Sequence, residues 1–342
     1  MAHIQQPHGA HLVGSVPLAS AQEVFSTVSS LLGSWLRRIP DGETGARSNW
    51  IRWQYPFLAR TEMLEDVSSS SQGYAPGPRL ALRSSAETLL FKELGYAEAA
   101  IESYMLFAQL KKAGHIPAHC RFQVCLPTPI APITTFIQLS DQAAVEPAYE
   151  AAMIAELKRI TTAIPLHELA IQWDTAIEFA LLEGVMPTFF TNVEDEILQR
   201  LIRLGEEVPA QVELGYHLCY GDSGHQHFKQ PADTAKLVDV ANALASRLQR
   251  PLHWLHMPVP RNRADDAYFA PLRQLHLKPE TEFYLGLMHY TDGVAGAKER
   301  IAAAQKAMAD FGVATECGMG RRLPETIAAL LRMHSEVSSP VQ

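Results

Sequence analysis

The stretch LGYHLCYGDSGHQHF (214–228) sets His217 two residues before Cys219, and a third residue of related chemistry, Cys317, stands far downstream in ECGMGRR. Imidazole nitrogen and thiolate sulfur are donors that zinc takes in a tetrahedral shell, and a catalytic zinc commonly keeps three protein ligands with one position for water or substrate. The fourth protein ligand is less determined. His256 is the choice from its place at a strand end, and Glu282 is the weaker alternative because it lies at the start of its run. His-x-Cys alone favours a plainer account, in which the thiols are small buried hydrophobes and His217 bonds to neighbouring backbone. Adding Cys317 shifts the balance toward a metal.

Two acids come next. Glu43, in PDGETGAR, and Asp174, in AIQWDTAIEF, could together hold a substrate ammonium group or manage a proton, or could simply cap the helices that follow them. Gly42 and Gly45 allow close approach of backbone at Glu43. The pair Arg321 and Arg322 could bind an anion, although a solvated face or a cap explains at least one of them. His225 and His227 alternate across a polar loop and read as solvated or as hydrogen-bonding support for the ligands. His253 and His276 have no site context, and Cys120 and Cys125, on or beside an apolar strand, read as core.

These residues need a frame. Short β-leaning runs recur at 11–15, 34–40, 121–127, 167–173, 211–218, 252–258, 282–288 and 312–317, separated by segments with helical periodicity such as PADTAKLVDVANALASRL and AKERIAAAQKAMADF. Eight strands alternating with helices predict an α/β fold, a single (β/α)8 TIM barrel spanning 1–342. The segment 51–83, with SSSSQGYAPGP, is a long irregular insertion after the second strand and is expected over the barrel mouth. In such a barrel, chemistry is built at the C-terminal ends of the strands. Ser15, Asp41-Gly42-Glu43, Asp174, His217 with Cys219, His256, His289 and Cys317 all fall there.

Composition narrows the partner. The chain is 47% hydrophobic and 19% charged, with a net charge of −8, so it has material for a large core and none of the basic excess of a nucleic-acid binder. No window approaches the ~18 unbroken apolar residues of a membrane span. A small molecule is the expected partner, with no nucleic acid and no membrane; oligomeric state is not encoded legibly. The start MAHIQQPHGAHLVGS has neither the basic opening nor the apolar core of a signal peptide, so the cytoplasm is the expected compartment. The four cysteines are then expected as thiols or ligands.

With these residues in view, the chain resembles, along nearly its whole length, the catalytic C-terminal barrel of cobalamin-independent methionine synthase, within the superfamily that includes uroporphyrinogen decarboxylase. HLVGSVP is similar to the family's Ile-Gly-Ser-Phe-Pro strand, which implies that Ser15 holds an amino-acid carboxylate. Asp41-Gly42-Glu43 and AIQWDTAIEF resemble the segments that bind the amine, giving that role to Glu43 and Asp174. HLCY resembles His-Met-Cys-Tyr and ECGMGRR resembles Asp-Cys-Gly-Leu-Lys-Thr-Arg, which puts His217, Cys219 and Cys317 on zinc ligands. GLMHYTDG resembles the Asp-Ile-His-Ser segment, making His289 the acid for the leaving group.

The sequence also departs from that pattern. His256 stands where the family has a zinc glutamate, so the implied shell holds two histidines and two cysteines, with one negative charge fewer. The tryptophan that stacks the folate ring has no counterpart in CLPTPIAPITTF, Thr175-Ala176 replaces a Glu-Pro, and the long enzymes' separate N-terminal domain has no counterpart. The resulting expectation is a zinc-dependent alkyl (methyl) transferase acting on a small-molecule thiol or amino-acid-like substrate, with Zn2+ as cofactor and no clear folate site. Two alternatives remain: a zinc-dependent lyase or hydrolase of the same superfamily acting on a carbon–sulfur or carboxyl-bearing substrate, and a non-catalytic metal or small-molecule binding protein.

Overall fold

The computed structural model describes residues 6–68, 77–222, 224 and 226–341. Its strands are β1 (Ala10–His11), β2 (Arg38–Pro40), β3 (Leu64–Asp66), β4 (Leu80–Leu82), β5 (Arg121–Pro127), β6 (Leu169–Thr175), β7 (Glu213–Leu218), β8 (Trp254–Pro258), β9 (Glu282–Met288) and β10 (Gly312–Thr315). All but β3 and β4 form one parallel sheet in the order β1-β10-β9-β8-β7-β6-β5-β2. A single parallel bridge between Ala10 and Leu36 brings its two edges together. The result is the expected α/β barrel, nearly closed and flanked by helices, and the eight runs read from the sequence overlap its eight strands one for one.

The flanking helices follow from their sequences. In Val193–Glu206, the Asn192 side chain caps the amide of Asp195, acids fill the first turn, and Arg203 lies in the last, each complementing the helix dipole. Ile197, Leu198, Leu201 and Leu204 fall at three- and four-residue spacing and are all buried. Each contributes roughly 1.5–3 kcal/mol by leaving water.

Large side chains fill the barrel's interior. Trp254 is wholly buried and packs with Ala170, Tyr284 and Ala314. Gly215 is required beside it, because a Cβ there would overlap the Trp254 indole. At the N-terminal end of the strands the buried Arg38 pairs with Glu213 at 2.5 Å and Glu282 at 2.7 Å, while its guanidinium lies 4.1 Å from the Trp254 ring. Glu282 also pairs with Arg37 at 2.6 Å. It therefore belongs to this ion cluster at the opposite end of its strand from the chemistry, and the weaker alternative for a metal ligand is set aside.

The segment 51–83 is more ordered than an irregular loop where it is described. It carries a short helix, Tyr55–Ala59, and the antiparallel hairpin of β3 with β4; residues 69–76 lie outside the described residues. Leu80 bridges to Ile137, the Tyr55 and Phe136 rings are 5.6 Å apart, and Arg79 donates to the carbonyls of Thr134 and Ile137 at 2.9 and 3.2 Å. The hairpin thus clasps the helix that follows β5. Among the described residues no helix is long and apolar enough to cross a membrane.

Candidate metal and substrate site

At the C-terminal end of the strands lies a cavity of about 310 Å³ whose lining includes Ser15, Glu43, Asp174, His217, Cys219 and Cys317. Strand register explains the grouping. Asp174 on β6 pairs with His217 on β7, Cys219 is the residue just past β7, and Cys317 follows β10. The ligand atoms of His217, Cys219 and Cys317 all lie within 4.8 Å of one another.

That trio fits a zinc ion on three counts. The two sulfurs are 3.7 Å apart, close to the about 3.8 Å that two ~2.3 Å zinc–sulfur bonds at a tetrahedral angle require. Nε2 of His217 is buried with no hydrogen-bond partner among the described residues, a costly state unless a ligand takes its lone pair. The donor set, one imidazole and two thiols, is also the borderline-soft set that zinc takes. The Cys317 thiol is held well above its usual range by its hydrogen bond with Cys219 and by burial, with Arg321 pulling the other way. A divalent cation reverses that order and deprotonates coordinating thiols.

His256 is not in the trio. It sits one strand over, in register with His217, wholly buried, and its Nδ1 lies 2.6 Å from Nδ1 of His217. It does not line the cavity. Burial pushes its pKa down to about 3, against the Thr315 backbone, which favours a proton on the ring. His11 continues the buried column, its ring centroid 5.8 Å from that of His256 and its Nε2 2.8 Å from the side-chain oxygen of Gln172. Gln172 in turn donates to Asp174 at 2.8 Å.

The acids Glu43 and Asp174 line the same cavity. Glu43 is raised to about 7 by burial and by the nearby Asp41 charge, with Arg47 pulling the other way. Burial and the Glu43 charge hold Asp174 well above the usual carboxylate range. Burial is the larger cause for both acids. Asp41 is engaged within the chain, accepting from Arg47 at 2.5 Å, from Ser103 at 2.7 Å and from the Glu43 amide at 2.9 Å.

Backbone conformation marks the same place. Among the described residues the non-glycine positions with positive φ are Glu43, at 51°, and Trp50, at 42°, and both line this cavity. Left-handed backbone costs such residues of order 1–3 kcal/mol and persists where surrounding structure enforces it, often at binding sites. Ser15 is pinned by the loop after β10, because its Oγ accepts from the Gly320 amide at 3.2 Å and its carbonyl from the Met319 amide at 2.7 Å. A Cβ on Gly318 would collide with that Oγ.

His289 lies apart from the trio, in a second, outer cavity of about 620 Å³. Its Nε2 is 2.8 Å from the Val259 carbonyl, and its Nδ1 is 3.3 Å from Glu316. Glu316 also meets Arg322 at 3.4 Å and, although burial opposes it, is kept below its usual range by His289, His227 and Arg322. Gln226 and His227 line both cavities and so mark the junction. His227 is buried, with neither ring nitrogen partnered among the described residues; His225 lies outside them.

Sequence reasoning did not reach Trp50, Asp222 or Phe228, which also line the inner cavity. They sit in loops with no periodicity to betray them. Arg321 lines it too, 3.8 Å from Asp222, whereas Arg322 turns to Glu316 and the outer cavity. Of the cysteines read as core, Cys120 is buried and Cys125 is half-buried beneath Gly14, its thiol donating to the Val13 carbonyl at 3.2 Å.

No protein-family model and no curated protein matches the sequence. Solved structures do match the fold over the full length. One, from Listeria monocytogenes and provisionally described as a vitamin-B12 independent methionine synthase, is 16% identical with a TM-score of 0.58, covering 98% of this chain and 99% of its own. Another, a B12-independent methionine synthase from Shewanella sp. W3-18-1 in complex with selenomethionine, is 14% identical with a TM-score of 0.63, and 96% of each chain is covered. At these identities the likeness establishes a shared barrel architecture.

Proposed function

We propose that this protein is a zinc-dependent alkyltransferase that moves a methyl group onto the thiol of an amino-acid-like acceptor. The observation that carries the proposal is the convergence, in one cavity, of a His-Cys-Cys trio with two acids raised by burial and a pinned serine. The fold shared with structures described as methionine synthases, one holding selenomethionine, supports the same reading. A bound zinc would supply Lewis acidity, favouring the acceptor as thiolate at neutral pH.

The chain's own residues supply the rest. The Ser15 hydroxyl accepts from Gly320 and keeps its proton for an acceptor carboxylate. An acceptor ammonium between Glu43 and Asp174 would let both acids ionise, because a positive charge there offsets the burial and the neighbouring carboxylate charge that raise them. The acceptor sulfur attacks the methyl carbon, a new carbon–sulfur bond forms, and the old bond's electron pair leaves with the donor's nitrogen or other leaving atom. That atom takes a proton from His289, which gives up one of its contacts with Glu316 and the Val259 carbonyl to deliver it and regains a proton from solvent. The thiol's own proton goes to solvent, so the exchange balances. The outer cavity that His289 lines has room for the donor's body.

Metal analysis of protein purified without added metal should find zinc. Incubation with homocysteine and either methyltetrahydrofolate or methylcobalamin should form methionine. Zinc-free protein, or zinc protein that cleaves a thioether and methylates nothing across the donors, would overturn the assignment, the second result in favour of a lyase.

A further inference from the structure

Resting on that zinc reading, we infer that His256 is a positioning residue for His217 and not a ligand, so that the chain supplies three ligands and leaves the fourth place to the acceptor's own sulfur. His217 and His256 lie side by side in register on β7 and β8, with ring centroids 4.7 Å apart and planes inclined by 37°. Their Nδ1 atoms are 2.6 Å apart, a hydrogen bond that two neutral rings can make in only one way at a time, one donating and the other accepting. If His217 donates, its Nε2 keeps a lone pair and can bind a metal. If His256 donates, Nε2 of His217 carries the proton and cannot. His256 as acceptor therefore selects the ligating tautomer of His217, the task that a carboxylate or carbonyl performs behind many metal-bound histidines.

Although its Nε2, like that of His217, is buried without a hydrogen-bond partner among the described residues, the surroundings keep His256 out of the cavity. It is wholly buried, it is absent from the lining of the cavity that His217, Cys219 and Cys317 share, and His11 closes the column behind it at 5.8 Å. To reach the ion it would have to abandon His217 and leave its slot. Choice of an imidazole over a carboxylate has a chemical effect as well. Two thiolates balance the charge of a divalent zinc, and a neutral acceptor behind His217 adds nothing to that sum. A zinc held by Cys219, Cys317 and His217 would therefore be neutral as a unit, so that an acceptor thiolate beside it would keep its electron density.

The test uses the full chain loaded with zinc or cobalt(II). X-ray absorption of the zinc protein should count one imidazole and two sulfurs, with a light fourth donor replaced by a third sulfur when homocysteine is added; two imidazoles overturn the inference. His256→Leu, which removes the acceptor, should weaken cobalt binding roughly 10–100-fold while the visible bands of the loaded form keep their positions. His256→Asn, whose amide oxygen can accept near the place of Nδ1, should recover most of that loss and covers the case in which the leucine variant does not fold. Displaced cobalt bands in both variants would mean that a ligand had been removed, and would overturn the inference while the zinc reading stands. Parent protein that binds neither metal overturns both.

Discussion

The two ends of the barrel handle buried charge in opposite ways. At the N-terminal end Arg38 is held by Glu213 and Glu282, which are held in turn by Arg121 at 3.0 Å and Arg37 at 2.6 Å. There, despite burial, the Arg38 and Arg37 charges keep Glu282 below its ordinary range. At the C-terminal end Glu43 and Asp174 are pushed above theirs, and a histidine nitrogen and two thiols face a cavity. The first end is internally complete and serves the fold. The second turns a histidine nitrogen without a hydrogen-bond partner among the described residues, two thiols and two buried acids toward a cavity, and strand C-terminal ends are where barrels of this kind carry their sites.

The contrast can be attacked from either side. The largest effect is expected at the open end, where His217→Ala or Cys317→Ser should take zinc from about one ion per chain to near none and methyl transfer to background, with unfolding in urea little changed. At the closed end, Arg38→Ala should leave metal content intact and destabilise by about 2–3 kcal/mol in urea. That lies below the ~3–5 kcal/mol of a fully buried pair because Arg121 and Arg37 still serve the two glutamates.

A third effect is pH-dependent. The folded-state value of Glu43 lies above its ordinary 4.5, at about 7, so between those values the native chain holds a proton that the unfolded chain has lost. Stability is full below the window and falls as pH rises through it. The thermal midpoint should drop between about pH 5 and 8, and Glu43→Gln should remove of order 1–2 kcal/mol of that drop, allowing for the partial exposure of the side chain. A pH-independent difference between the two proteins would break the argument. Smallest is Ser15→Ala, expected to raise KM for a carboxylate-bearing acceptor by roughly tenfold or less, as the loss of about 1 kcal/mol of hydrogen bonding implies, with kcat nearly unchanged.

Much of this was legible in the sequence, and the exceptions have physical reasons. Strand ends could be read because buried parallel strands are apolar runs that stop at polar residues, and Ser15, Glu43, Asp174, His217, Cys219 and Cys317, read from such ends, all line one cavity. His256 was harder. It lies two residues before the end of β8, and side chains at different depths of a strand serve different layers of the barrel. The helices Ile130–Phe136 and Ile177–Leu182 were not anticipated. The first, IAPITTF, is β-branched and holds a proline, so its conformation comes from its buried contacts and not from propensity. Trp50 is hidden for another reason, since a tryptophan at positive φ has no sequence signature.

The hold of the loop after β10 on Ser15 has a consequence for the order of events in the cell. The Gly320 amide and the Ser15 hydroxyl meet across 305 residues of chain, and β1, which touches Leu36 through a single bridge at Ala10, finds its paired ladder in β10. A ribosome must therefore release nearly the whole polypeptide before the first strand gains that ladder and before Cys317 can join His217. A chain stalled or clipped ahead of β10 therefore carries Glu43, Asp174, His217 and Cys219 but lacks both the Gly320 amide that holds Ser15 and the third member of the trio.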